Sequence, residues 1–150
     1  MSGYSGTPLP RKLGIKEGHL VGVRGAPDTF RGTLGELPEG VRLRERVSAP
    51  RSASAPRLDV IVAFFRRRGE FERRLPALME ALDVDGGLWI AWPKGSSGVA
   101  TDITEDVVRD AGVERGMVDN KVCAIDETWS GLRLVFRRDD RPALRAERGG

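Results

Sequence analysis

Residues 58–65, Leu-Asp-Val-Ile-Val-Ala-Phe-Phe, are the most continuous apolar run in the chain, and arginines flank them on both sides. A β-branched run with almost no polar interruption is the pattern of a central parallel strand covered on both faces. Beyond Arg66-Arg67-Arg68, the apolar residues Phe71, Leu75, Leu78, Met79 and Leu82 recur at offsets of four, three, one and three. That spacing stacks them on one stripe and predicts a helix starting near Glu70 and distorted at Pro76. Gly86-Gly87 is expected to end this helix, and the apolar residues 88–92 to form the next buried strand.

The same reading extends in both directions. Asp102 and Thr104 each offer an N-cap oxygen to a helix through Val107, Val108 and Ala111, with Glu105 and Asp106 near its positive end and Gly112 or Gly116 closing it. Residues 118–125 and 132–136 read as strands whose connection is too short for a crossover helix, so they pair antiparallel. Upstream, residues 19–24 form the first strand, Gly25-Ala26-Pro27-Asp28 breaks it, residues 29–34 start a short helix, and residues 41–45 form a second strand. Residues 46–57 are a basic Ser/Ala/Pro loop. The whole predicts an α/β, single-domain Rossmann-like fold over residues 19–138, with a mostly parallel sheet and a C-terminal antiparallel strand pair. Residues 1–18 make an arm with a short helix at 8–13, and the charged residues 139–150 are expected to be a disordered tail.

This order of elements resembles the class I S-adenosylmethionine-dependent methyltransferase fold. The resemblance implies a cofactor loop after the first strand, although Arg24-Gly25-Ala26-Pro27-Asp28 has Arg where an acidic residue is usual and lacks the later glycines. A second resemblance rests on particular residues: Ser2-Gly3-Tyr4-Ser5-Gly6-Thr7-Pro8-Leu9, Lys12-Leu13-Gly14-Ile15-Lys16, Trp92-Pro93-Lys94, Ser97-Gly98-Val99-Ala100-Thr101-Asp102, Val118-Asp119-Asn120-Lys121-Val122-Cys123-Ala124 and Glu127-Thr128-Trp129-Ser130-Gly131-Leu132. Together they look like small bacterial proteins of the domain-of-unknown-function family three-zero-five-two. That likeness implies no activity.

Composition narrows the classes. A chain of 150 residues with 39% hydrophobic content can bury one core rather than two. The formal net charge of +3 gives a mildly basic surface, which permits an acidic partner without requiring one. With one cysteine, Cys123, and one histidine, His19, neither an internal disulfide nor a zinc cluster of N/S ligands can form. Capping explains Asp102, Glu105 and Asp106 without a metal. The N-terminus lacks the apolar run of a signal peptide, and no stretch approaches the roughly 20 apolar residues that span a bilayer, so a cytoplasmic location off the membrane is the expectation.

Candidate chemistry concentrates in three loops. In open parallel sheets, ligands sit beyond the carboxyl ends of the strands, where the strand order reverses. That edge is expected to gather Gly25 and Asp28, then Arg66 and Arg68, then Trp92, Lys94, Ser96, Ser97 and Asp102. Cationic forks, hydroxyls and helix N-termini suit an anionic ligand. The plainer reading makes the arginines a solvated face and the Lys94 loop an ordinary polar turn. Glu45 lies about 20 residues beyond Gly25, where a dinucleotide fold places a carboxylate on a ribose; otherwise it is a surface carboxylate paired with Arg42 or Arg44.

Other features weigh less. Trp92 or Trp129 is a candidate for lining the cleft, and Tyr4 with Lys12 and Lys16 for a lid over it. Cys123 reads as a small buried hydrophobe, with redox sensing as the alternative. No complete catalytic motif is present, which favours a non-catalytic binding or regulatory protein with an anionic ligand or protein partner. The alternatives are an S-adenosylmethionine-dependent methyltransferase with an atypical cofactor loop, and a nucleic-acid-associated protein using Arg42, Arg44, Arg46, Arg51 and Arg57. An enzyme needs an open pocket by Gly25 and Glu45, whereas a binding protein can fill it with Pro27 and Phe30.

Overall fold

Six strands, β1 (Leu20–Arg24), β2 (Arg42–Arg44), β3 (Leu58–Phe64), β4 (Leu82–Pro93), β5 (Met117–Ala124) and β6 (Trp129–Phe136), form one sheet in the order β2-β1-β3-β4-β6-β5 in the computed structural model. It describes residues 7–52 and 54–149, so Tyr4 lies outside the described residues. β1 pairs parallel with β2 and β3, and β3 with β4, while β6 runs antiparallel to both β4 and β5. The sheet is therefore the mostly parallel, Rossmann-like one expected, closed by an antiparallel pair.

Alternation along the strands sorts the core into two layers. Ile61, Ala63, Leu88, Ile90 and Leu132 face α3 (Arg68–Ala81) and α4 (Glu105–Glu114), which contribute Phe71, Leu75, Leu78, Val108 and Ala111. Val60, Val62, Phe64, Trp89 and Ala91 face α1 (Leu9–Lys12), α2 (Phe30–Leu34) and the segment after α1, through Leu9, Leu13, Ile15, Phe30 and Leu34. The buried Trp89 indole Nε1 donates to the Leu13 carbonyl at 2.9 Å, which ties the arm to the sheet. The arm is thus part of the core.

Three expectations are corrected. The first concerns α3, which ends at Ala81, and β4, which starts at Leu82 rather than after Gly86-Gly87. Leu82 pairs with Leu58 and Gly87 with Val60, so residues 83–86 bulge out of the ladder. A Cβ at position 86 would lie 2.7 Å from the Asp59 carbonyl, so that glycine serves close strand packing and does not stop the helix. The second concerns Asp102, which does not cap α4. Thr104 does, accepting the Val107 N–H at 3.2 Å, while Asp102 accepts the Arg68 N–H at 2.6 Å and so caps α3 from a distant loop.

The third concerns the expected disordered tail, where residues 138–140 form a 3-10 turn and α5 (Arg141–Glu147) follows. Its order comes from tertiary partners that no periodicity announces. Arg145 pairs with Asp85 at 2.6 Å, Leu144 packs on the core, and Arg148 donates to the Leu82 and Met79 carbonyls at 2.6 and 2.9 Å, satisfying the end of α3. Among the described residues, no helix is long and apolar enough to cross a membrane.

Trp89→Phe leaves the Leu13 carbonyl without its donor and removes part of a fully buried ring. Urea unfolding should show a loss of about 1–3 kcal/mol, the cost of a buried group left unpaired. A loss below about 0.5 kcal/mol, less than an ordinary hydrogen bond contributes, would mean that the arm is held by packing alone.

Candidate ligand site at the carboxyl edge

The sheet order reverses between β1 and β3, because the chain leaves β1 toward β2 on one side and continues from β3 to β4 on the other. Connections that diverge in this way leave a crevice at the carboxyl ends. Gly25 turns the chain immediately after β1 with φ +70°, and a Cβ there would lie 3.0 Å from the Phe64 carbonyl at the end of β3. Only glycine meets both demands.

Arg24, the last residue of β1, is held in place by three partners. Its guanidinium pairs with Glu70 at 2.9 Å, donates to the Phe64 carbonyl at 3.3 Å, and lies 4.4 Å from the Phe65 ring centroid. The hydrogen bond from Arg24 holds the Glu70 carboxyl below its ordinary value, although partial burial works the other way. On the far side, the Thr101 hydroxyl donates to the Arg66 carbonyl at 2.7 Å, and Asp102 holds the Arg68 N–H. The loop before α4 is thereby tied to the turn before α3.

Between these walls runs an open groove of about 1380 Å3. Arg66, Arg67 and Arg73 line it, and among the described residues none of the three forms an ion pair. Its two carboxylates are both engaged, Glu70 by Arg24 and Asp102 by the start of α3. Trp129 also lines the groove and meets Phe64 edge-on, with centroids 5.1 Å apart.

A smaller cavity of about 360 Å3 lies on the β2 side, between Gly25, Pro27 and Asp28 on one wall and Leu43 and Glu45 on the other. Phe30 does not plug it. The Phe30 side chain is buried beneath, against Phe64 with centroids 5.0 Å apart. Glu45 pairs with Arg31 at 2.5 Å, not with Arg42 or Arg44, and both partners are well exposed. Pro27 contributes no N–H to this wall.

The predicted residues divide accordingly. Gly25, Asp28 and Glu45 meet at the smaller cavity, and Gly25, Arg66 and Asp102 at the groove. Arg68 does not join them, because its guanidinium turns back to Glu72 at 3.0 Å within α3. Trp92 is buried in the core on the α3 side. Lys94, Ser96 and Ser97 line neither space and build a turn instead, in which the Ser97 hydroxyl donates to the Lys94 carbonyl at 2.7 Å and accepts the Val99 N–H at 3.1 Å. Lys16 lies at the opposite edge of the sheet, Lys12 lies between that edge and the end of β5, and neither lines the groove or the smaller cavity.

Sequence reasoning took Arg24 only as a departure from the methyltransferase loop and missed Glu70 and Arg73. The last two are three apart on α3, and that helical spacing was the available signal that they share a face. Cys123 is half-buried in β5, and burial raises its thiol above the ordinary value while Lys12 and Lys121 oppose the rise. A reactive thiolate is disfavoured there.

No protein-family model matches the chain, and no curated protein is similar to it in sequence. Solved structures share its fold. The DhpI complex with S-adenosylhomocysteine aligns with a TM-score of 0.58 at 10% identity over 87% of this chain and 83% of that one. The ribosomal protein L11 methylase of Lactobacillus delbrueckii subsp. bulgaricus gives 0.54 at 12% identity, covering 87% and 75%. A methyltransferase of Aquifex aeolicus dependent on S-adenosylmethionine gives 0.51 at 15% identity, covering 83% and 85%. At such identities the likeness is one of fold, and the sheet is of the class I methyltransferase type.

The lowered Glu70 fixes the sign of a pH effect. A carboxylate whose folded value lies below its ordinary 4.5 stabilises the fold above that pH and loses the contribution as pH falls through the depressed value. Glu70→Gln should therefore be less stable than the native chain at neutral pH, by about 0.2–1 kcal/mol for so exposed a pair. Unfolding curves should converge as the pH falls below the ordinary carboxylate value; a gap that widens on acidification would contradict the pairing.

Proposed function

We propose that the protein binds S-adenosylmethionine at the carboxyl edge and is a methyltransferase for an acceptor carrying negative charge. The observation that carries this reading is the open cavity under the Gly25 turn with Glu45 on its opposite wall, in a fold shared with solved methyltransferases. Its volume falls in the range of small-molecule sites. The Gly25 backbone would let the adenosyl part approach, and Glu45 would accept hydrogen bonds from ribose hydroxyls. The Arg31–Glu45 pair is exposed, so displacing it costs at most about 1 kcal/mol.

When bound, the cofactor supplies an electrophilic methyl group. The acceptor would lie in the adjoining groove, where Arg66, Arg67 and Arg73 attract and orient an anion and Trp129 offers an aromatic wall. Among the described residues both carboxylates that line the groove are already hydrogen-bonded, and neither is placed there as a free general base. An acceptor that is already an anion, such as a carboxylate, needs none.

A second reading, a binding protein that transfers nothing, is favoured by one observation. Arg24, clamped by Glu70 and Phe65, occupies the strand end where methyltransferases carry an acidic residue. Calorimetry with S-adenosylmethionine and S-adenosylhomocysteine separates the outcomes. Binding is expected, and it should weaken about tenfold or more in Glu45→Ala, as for loss of a charged hydrogen bond. Arg73→Ala should leave it unchanged. No heat with either compound, or full affinity in Glu45→Ala, would reject the adenosyl site; binding of the anionic acceptor class alone would leave the second reading.

A further inference from the structure

A separate pocket of about 520 Å3 lies at the amino edge of the sheet, on the side covered by the arm. Two irregularities of the strands frame it. In β4 residues 83–86 leave the ladder, and in β5 the register jumps at Asn120, since Asp119 faces Leu134 but Lys121 faces Arg133. Such bulges re-aim side chains and gather beside functional sites. Between them Arg133 lays its guanidinium across Gly87, where a Cβ would stand 2.3 Å from its Nε. Gly87 is therefore the cradle that admits this side chain.

Arg133 is half-buried, and among the described residues it makes no ion pair. One Nη reaches the Asn120 side-chain oxygen at 3.3 Å, and the buried Nε has no partner at all. Burial, with Arg141 adding to it, pushes the guanidinium below its ordinary value. A cation in this position costs folding energy unless a counter-charge arrives. Among the described residues none of the three carboxylates of the pocket pairs with Arg133: Asp59 accepts the Leu20 N–H at 2.8 Å and Asp83 the Asp85 N–H at 3.0 Å, both keeping their charge, and Asp85 pairs with Arg145. Lys16 and Lys121 stand exposed at the rim. The Trp89 tie to Leu13 fixes the arm that presents Lys16.

We propose that this amino-edge pocket binds a small phosphate-bearing anion, with Arg133 as its buried anchor and Lys16 and Lys121 as its rim. A guanidinium offers a phosphate two parallel N–H donors, and partial burial strengthens the contact by excluding water. The site lies at the other end of the strands from the adenosyl cavity and stands or falls independently of it.

Inorganic pyrophosphate is the probe, titrated by calorimetry and by thermal unfolding against sodium chloride of equal ionic strength. Native protein should bind it and melt higher, whereas chloride should have no such effect. The exposed double variant Lys16→Ala/Lys121→Ala, which leaves the core untouched, should bind about tenfold more weakly. Arg133→Gln should lose the pyrophosphate response while melting no lower than the native chain without ligand, because it removes an unpaired cation. A purely structural arginine predicts the reverse, an Arg133→Gln protein that melts lower and keeps its affinity. That result, or no binding at millimolar pyrophosphate, would overturn the proposal.

Discussion

The close approach of β1 and β3 as parallel neighbours is the constraint from which the carboxyl edge follows. Val21 through Arg24 pair with Val60 through Ala63, which brings the turn after β1 against the Phe64 carbonyl and leaves room only for glycine. The same register sets Arg24 within reach of Phe64, Phe65 and Glu70, so β1 is pinned to the start of α3. The crossovers then depart in opposite directions. The crevice is thus a product of strand order, and the residues around it decide what it accepts.

Charge at that crevice is arranged by number and by commitment, with Arg24, Arg66, Arg67 and Arg73 facing only Glu70 and Asp102. Glu70 and Asp102 are engaged in holding Arg24 and the start of α3, whereas Arg66, Arg67 and Arg73 have no such duty. A net positive groove follows although acidic residues line it too. Exposed charges of this kind add little to stability, so their arrangement is available to function. At the amino edge the same principle appears in sharper form, because among the described residues half-buried Arg133 has no ion pair and its Nε no hydrogen-bond partner, a state that costs stability.

The sheet was legible in the sequence because its signals are local. The apolar run at β3, the heptad-like stripe of α3, and the short connection between β5 and β6 each declare themselves within a few residues. The Gly25 turn was legible for the same reason. What could not be read depends on contacts across the fold. Gly86 and Gly87 look like a helix stop, yet their roles are set by the Asp59 carbonyl and by Arg133, which are distant in sequence. Asp102 looks like the cap of the helix that follows it and caps another one. Lys94, Ser96 and Ser97 have the chemistry of a site, but the backbone folds them into a turn in which Ser97 bonds its own loop. The tail's arginines gain order only from Asp85, Phe136 and the end of α3.

A crystal structure grown with S-adenosylhomocysteine tests the central claim most directly. The account predicts the adenosyl group between the Gly25 turn and Glu45, with the Arg31–Glu45 pair opened and the amino-acid end directed toward the groove beside Arg66. Density for the ligand anywhere else, or an unchanged Arg31–Glu45 pair across an empty cavity at saturating ligand, would contradict it.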